Sequence, residues 1–117
     1  MRSEMMRKEY KTENQYEMIP LPDDELHGEL NSLPGWYQTN DIWISREYTF
    51  DQYLDGVHFA KQIGEYAQLR MHHPSIKIDY KKVTIEISSW RAKGVTALDI
   101  EMAHDFNDIY KNSGNFA

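Results

Sequence analysis

From Pro20 onward, apolar residues recur with two different periods along the chain, and the change of period marks the elements. Leu26, Leu30 and Leu33 fall at i, i+4 and i+7, which predicts a short helix capped by Asp23 and stopped by Pro34-Gly35. Trp36 to Tyr48 reads as two extended pieces around the turn residues Thr39-Asn40-Asp41, with Ile42, Ile44 and Tyr48 on alternating positions. Thr49-Phe50-Asp51-Gln52 has the form of a capping box and predicts the start of the longest helix. Its expected buried stripe is Phe50, Tyr53, Leu54, Val57, Ala60, Gly64, Ala67 and Met71. The small residues Gly56, Ala60, Gly64 and Ala67 would let a sheet or another helix approach closely.

Beyond His72-His73-Pro74 the period returns to two. Ile76, Ile78 and Tyr80 alternate with Lys77 and Asp79, and Val83, Ile85 and Ile87 with Thr84, Glu86 and Ser88. The short Lys81-Lys82 link makes these two strands an antiparallel hairpin. Thr96 with Asp99 three residues on forms a second capping box, opening a helix with Leu98, Met102, Phe106 and Ile109 on its buried face. Asn112-Ser113-Gly114-Asn115 stops it. The order is α-β-β-α-β-β-α, which predicts an α+β domain: a four-stranded antiparallel sheet with helices on one face. Residues 1–19 lack a sustained period and read as a polar N-terminal extension without chemistry of its own. The domain is expected over residues 20–117.

Composition narrows the function classes. The 117 residues hold 15 aromatics (3 Trp, 8 Tyr and 4 Phe), enough for one core in one domain. With no cysteine, a disulfide framework, a thiolate metal site and a thiol nucleophile are excluded. The net charge of −6 is concentrated in residues 21–60, where eight acids face the single Arg46. Such a surface repels a phosphate backbone, so direct nucleic-acid binding is not expected. The sequence has no apolar run of membrane-span length and no signal-peptide pattern, and a cytoplasmic protein is expected.

The residues with the clearest chemical potential are His72 and His73, set where the long helix ends. A helix C-terminus favours a protonated imidazole. Pro74 biases His73 to an extended conformation, so the two rings should point in different directions, one available as acid and the other as base. Adjacent histidines at a helix end also suit a plain surface role, and spacing alone favours that role. By default Asp99 is a cap and Trp90 a packing residue.

The spaced set His72-His73-Pro74, Tyr80, Trp90 and Asp99 resembles the motif of the pterin-4a-carbinolamine dehydratases, also called 4a-hydroxytetrahydrobiopterin dehydratases. Leu33-Pro34-Gly35-Trp36 and Gly94-Val95-Thr96-Ala97-Leu98-Asp99 are similar to further segments of that family, and the likeness spans about residues 20–110. The chain departs from the pattern twice. Gln68 stands four residues before His72, where the family has an ionisable residue, most often Glu; Glu65, one turn earlier, is a candidate substitute. Trp90 stands where better-known members have a third histidine.

The resemblance implies the α-β-β-α-β-β-α fold and a hydro-lyase that dehydrates a 4a-hydroxytetrahydropterin to the quinonoid dihydropterin, without metal or redox cofactor. It implies His72 as an acid/base and His73 as a pterin binder or second acid/base. Trp90, Asp99, Gln68 and Pro74 would line the substrate. It also implies a homodimer or homotetramer serving an aromatic amino acid hydroxylase pathway. An alternative role is a weakly active or inactive member, acting as a dimerisation cofactor or as a pterin binder in molybdopterin metabolism.

Overall fold

The computed structural model describes residues 10–113. A 3-10 turn at Glu13–Gln15 precedes α1 (Asp23–Asn31), β1 (Tyr37–Gln38), β2 (Ile44–Thr49), α2 (Tyr53–Arg70), β3 (Ser75–Asp79), β4 (Lys82–Ile87) and α3 (Ala97–Ser113). This is the expected α-β-β-α-β-β-α order. The strands form one antiparallel sheet in the order β1-β2-β4-β3, so each hairpin contributes one central and one edge strand. β2 and β4 pair from Ile44 opposite Ile87 to Thr49 opposite Lys82. The alternation seen in the sequence puts Ile44, Tyr48, Val83, Ile85 and Ile87 on one face. There they join Phe59, Ile63, Leu98, Met102 and Phe106 of the helices in a single core.

The structure moves several expected features. Asp23 is the first residue of α1 and not its cap; Pro22 holds the cap position. α2 begins at Tyr53, because Thr49 stays in the ladder opposite Lys82 and the Phe50 amide donates to the Lys81 carbonyl at 2.9 Å. The strand pairing therefore consumes the residues of the apparent capping box. The buried stripe of α2 is Gly56, Phe59, Ala60, Ile63, Tyr66, Ala67 and Arg70, whereas Tyr53, Leu54 and Met71 are exposed. Aromatic packing explains the rotation: the Phe59 ring lies 4.8 Å from that of Tyr48 and 5.2 Å from that of Phe50. Tyr80 leaves β3 and, with Lys81, makes the hairpin turn; it is exposed, with φ +54°. α3 matches its expected start, and of its stop signal Gly114 and Asn115 lie outside the described residues.

One turn is under tight steric control. Gly35 has φ +85°, and a Cβ there would sit 2.5 Å from Arg46 Nε. The Arg46 guanidinium cannot easily retreat, because it donates to the Pro34 carbonyl at 2.7 Å and to Asn107 Oδ1 at 2.9 Å, and lies 4.4 Å from the Tyr48 ring centre. Asn107 Oδ1 also accepts from Trp36 Nε1 and the Tyr48 hydroxyl. Gly35→Ala is expected to cost about 1–3 kcal/mol through backbone strain and displacement of this arginine, read from the urea midpoint.

Candidate active site

Helix α2 ends when Met71 adopts a left-handed conformation, φ 53°, and the amide of His72 turns back to the Ala67 carbonyl at 3.2 Å. This reversal sends His72 under the helix end, and the extended segment imposed by Pro74 sends the next side chain the other way. His72 is 3% exposed, whereas His73 is exposed. The two rings point in different directions, as expected.

His72 sits between two carboxylates. Nε2 meets Asp99 Oδ1 at 2.7 Å and Nδ1 meets Glu13 Oε1 at 2.7 Å, so each ring nitrogen presents a hydrogen to an anionic acceptor. Burial by itself opposes a charge on this ring. The hydrogen bonds and charges of Asp99 and Glu13 outweigh it and raise the His72 pKa above its ordinary value. Glu13 responds in the opposite sense: burial favours its neutral form, but His72 and Arg91 hold its carboxyl below the usual range. Arg91 Nη1 donates to the second Glu13 oxygen at 2.8 Å.

Asp99 does both things considered for it. Oδ2 accepts from the Thr96 amide at 2.8 Å, which closes the cap of α3, and from the Ser89 hydroxyl at 2.8 Å, while Oδ1 faces His72. Its neighbours Ser89 and Thr96 are buried and bonded to each other at 2.8 Å. A cap that is fully buried and fully bonded makes a rigid anchor for an imidazole.

His73 has a different setting. Its Nε2 lies 2.7 Å from Gln68 Oε1; that oxygen accepts, so the neutral ring keeps its hydrogen on Nε2 and its lone pair on Nδ1. Gln68 therefore orients His73 and not His72. Glu65 is exposed, and the carboxylates on His72 come from Glu13 and Asp99, so Glu65 does not take the suggested place. Pro74 is half-buried beside these residues in sequence. Trp90 is 77% exposed in the turn between the Ser89–Gly94 bridge residues, so it presents a flat apolar ring to the outside. Two residues before it, Ser88 is buried with no hydrogen-bond partner for its hydroxyl oxygen among the described residues. A depression of about 570 Å³ runs along α2 past Lys61, Gly64, Glu65, Gln68 and Leu69.

Sequence reasoning missed Glu13, Ser89 and Arg70. The segment assigned no chemistry packs onto the domain: Arg70, 1% exposed, donates from Nε to the Lys11 carbonyl at 2.8 Å and from Nη2 to the Tyr16 hydroxyl at 2.6 Å. Its other contacts are the Tyr66 hydroxyl, Glu101 and Asp105. Tyr16 is raised to about 12 by burial and by the adjacent Glu101, and so stays a neutral donor. Only a buried arginine in an otherwise apolar stripe could have signalled this anchor, and in the sequence Arg70 reads as an ordinary helix-end cation. Among the described residues, no group of three or more His, Cys, Asp or Glu is placed to hold a metal ion, and no helix is long and apolar enough to cross a membrane.

Fold and site together define a small α+β domain carrying a pair of imidazoles in contrasting surroundings, a buried one between two carboxylates and an exposed one bonded to an amide oxygen. Residues 19–109 match the family model described as Pterin 4 alpha carbinolamine dehydratase. The chain is 40% identical to a relative from Koribacter versatilis over 90 residues, covering 77% of this chain and 95% of the relative. It is 41% identical to one from Halobacterium salinarum over 88 residues, covering 75% and 93%. Both relatives are named for pterin-4-alpha-carbinolamine dehydratase. A crystal structure titled transcriptional coactivator/pterin dehydratase, from Brucella melitensis, superposes with a TM-score of 0.74 at 30% identity, covering 78% of this chain and 98% of that one. The chain belongs to the pterin-4a-carbinolamine dehydratase family.

Proposed function

We propose that this protein dehydrates a 4a-hydroxytetrahydropterin to the quinonoid dihydropterin. The observation that carries the reading is the pair of adjacent imidazoles with different partners, His72 between two carboxylates and His73 against the Gln68 amide oxygen, since the reaction needs one acid and one base. The C4a–O bond breaks and the hydroxyl leaves as water with a proton that originates on His72. The N5 proton goes to Nδ1 of His73, and the electron pair of the N5–H bond forms the C4a=N5 double bond. One proton is given and one taken, so no external reductant or oxidant enters. Gln68 holds the base in the required tautomer, Asp99 anchors the acid, and the face of Trp90 packs on the pterin ring. The substrate supports a role in recycling pterin for an aromatic amino acid hydroxylase in the cytoplasm.

The test is decay of the carbinolamine generated in situ by a hydroxylase. Wild type should exceed buffer, and His72→Ala and His73→Ala should each lose about 10²-fold or more. Wild type no faster than buffer would refute the enzyme reading. A second reading, an interaction protein assembling as a homodimer or homotetramer, is favoured by the exposed apolar side chains of Tyr53, Leu54, Ile78 and Tyr80. A chain inert towards the carbinolamine would fit that reading.

A further inference from the structure

We propose that the active site extends into the N-terminal segment, with Glu13 as the relay carboxylate that links buried His72 to the surface. The proposal rests on the dehydratase reading for its kinetic consequence, but the link itself does not. His72 is enclosed by Asp99 from the start of α3, Ser89 from the end of β4 and Glu13 from the 3-10 turn, with Arg91 behind Glu13. Asp99 and Ser89 are fully enclosed and bonded to one another, so they lead nowhere. Glu13, with its side chain 16% exposed, is the partner that reaches solvent.

A proton leaving His72 Nδ1 therefore passes to the Glu13 carboxylate. The carboxylic acid so formed gives it to the departing hydroxyl, and neutral His72 keeps its Nε2 hydrogen on Asp99 until a proton returns from solvent through the same carboxylate. The family match begins at residue 19, past Glu13, so this carboxylate comes from outside the matched region.

The segment is built to hold that position. The Thr12 amide donates to Gln15 Oε1 at 2.8 Å and the Gln15 amide to the Thr12 carbonyl at 2.9 Å, shaping the turn that presents Glu13. Arg70 grips the segment on both sides of Glu13, at the Lys11 carbonyl and the Tyr16 hydroxyl. The Tyr10 ring stands edge-on to Tyr66 at 5.3 Å, and the Leu21 amide donates to the Val95 carbonyl at 2.8 Å. A displaceable plug would not need so many fastenings.

The experiment is Glu13→Gln in the full chain, which keeps the size of the side chain and removes its charge, beside Glu17→Gln as an exposed-carboxylate control. The His72 imidazole is titrated by NMR, and carbinolamine dehydration is followed against pH. Glu13→Gln should move the His72 titration down by about one pH unit. It should lower kcat by about tenfold and shift the alkaline limb of the rate profile to lower pH; Glu17→Gln should change none of these. An unmoved His72 titration would overturn the proposal, and so would a Glu13→Gln variant faster than wild type, which would make the segment a plug. If the titration moves but wild type has no dehydratase activity, the link stands and the function reading fails.

Discussion

Asp99→Ala should lose about 3–5 kcal/mol of stability and nearly all of the proposed dehydratase rate. The side chain is fully buried and serves three donors: the Thr96 amide, the Ser89 hydroxyl and His72 Nε2. Loss of the cap alone is worth about 1 kcal/mol. Removing one partner of a buried charged pair typically costs about 3–5 kcal/mol, because the other is left without compensation. Asp99→Asn separates the contributions, since the amide oxygen can still accept from Thr96 while the charge facing His72 is gone. Urea unfolding as a function of pH checks the pair.

The sign of the pH dependence follows from the direction of each shift. His72 has a folded pKa above its ordinary 6.5, so its contribution is fully present below about pH 6.5 and is lost as pH rises through the raised value. Glu13 has a folded pKa below its ordinary 4.5, so its contribution is present above about pH 4.5 and is lost as pH falls through the lowered value. In Asp99→Asn the decline on the alkaline side should flatten. A pH-independent difference between wild type and Asp99→Asn would contradict a charged His72.

Arg70→Ala is the second large effect expected, about 2–4 kcal/mol, and it should free the N-terminal segment. The guanidinium is buried and binds two tyrosine hydroxyls, one backbone carbonyl and the carboxylates of Glu101 and Asp105. The two carboxylates are partly exposed and regain water when the arginine goes, which keeps the cost below that of a fully enclosed pair. The tyrosines and the Lys11 carbonyl lose their common partner. Burial already pushes the Asp105 carboxyl up, and without Arg70 it should rise further. Urea unfolding measures the stability change, and protease cleavage within residues 10–18 reports release of the segment. Because Glu13 is carried by that segment, the His72 titration should fall in Arg70→Ala as is expected for Glu13→Gln, although the contacts of Arg70 are with Lys11, Tyr16, Tyr66, Glu101 and Asp105 and not with the ring. Cleavage no faster than in wild type would show that other contacts hold the segment.

Several elements were readable from local pattern because their cause is local. The alternation of Val83, Ile85 and Ile87 survives as the buried face of β4, and the Thr96–Asp99 spacing survives as the cap of α3. The opposed directions of His72 and His73 follow from Pro74, which acts on its immediate neighbour. The start of α2 was misread because two local signals competed at Thr49, a capping box and a strand end, and only the pairing with Lys82 decides between them. Its buried face was misread in part, because two adjacent stripes are both apolar and share Ala60 and Ala67. The sheet selects the one with Phe59 and Ile63, turning Leu54 and Met71 outward and Arg70 inward.

The candidate site divides the same way. His72, His73, Gln68 and Asp99 are visible as a spaced set, and three of them meet their partners across short or motif-defined separations. What surrounds His72 was not visible. Glu13 lies 59 residues from it in sequence, and Arg70 binds Lys11 across the same separation. Patterning within the chain therefore sufficed for the elements, their order and the family's paired histidines, since helix and strand periodicity act over a few residues. The protonation setting of His72 and the place of the N-terminal segment arise only when distant residues meet in a buried site, where desolvation and charge pairing depend on every group around the ring.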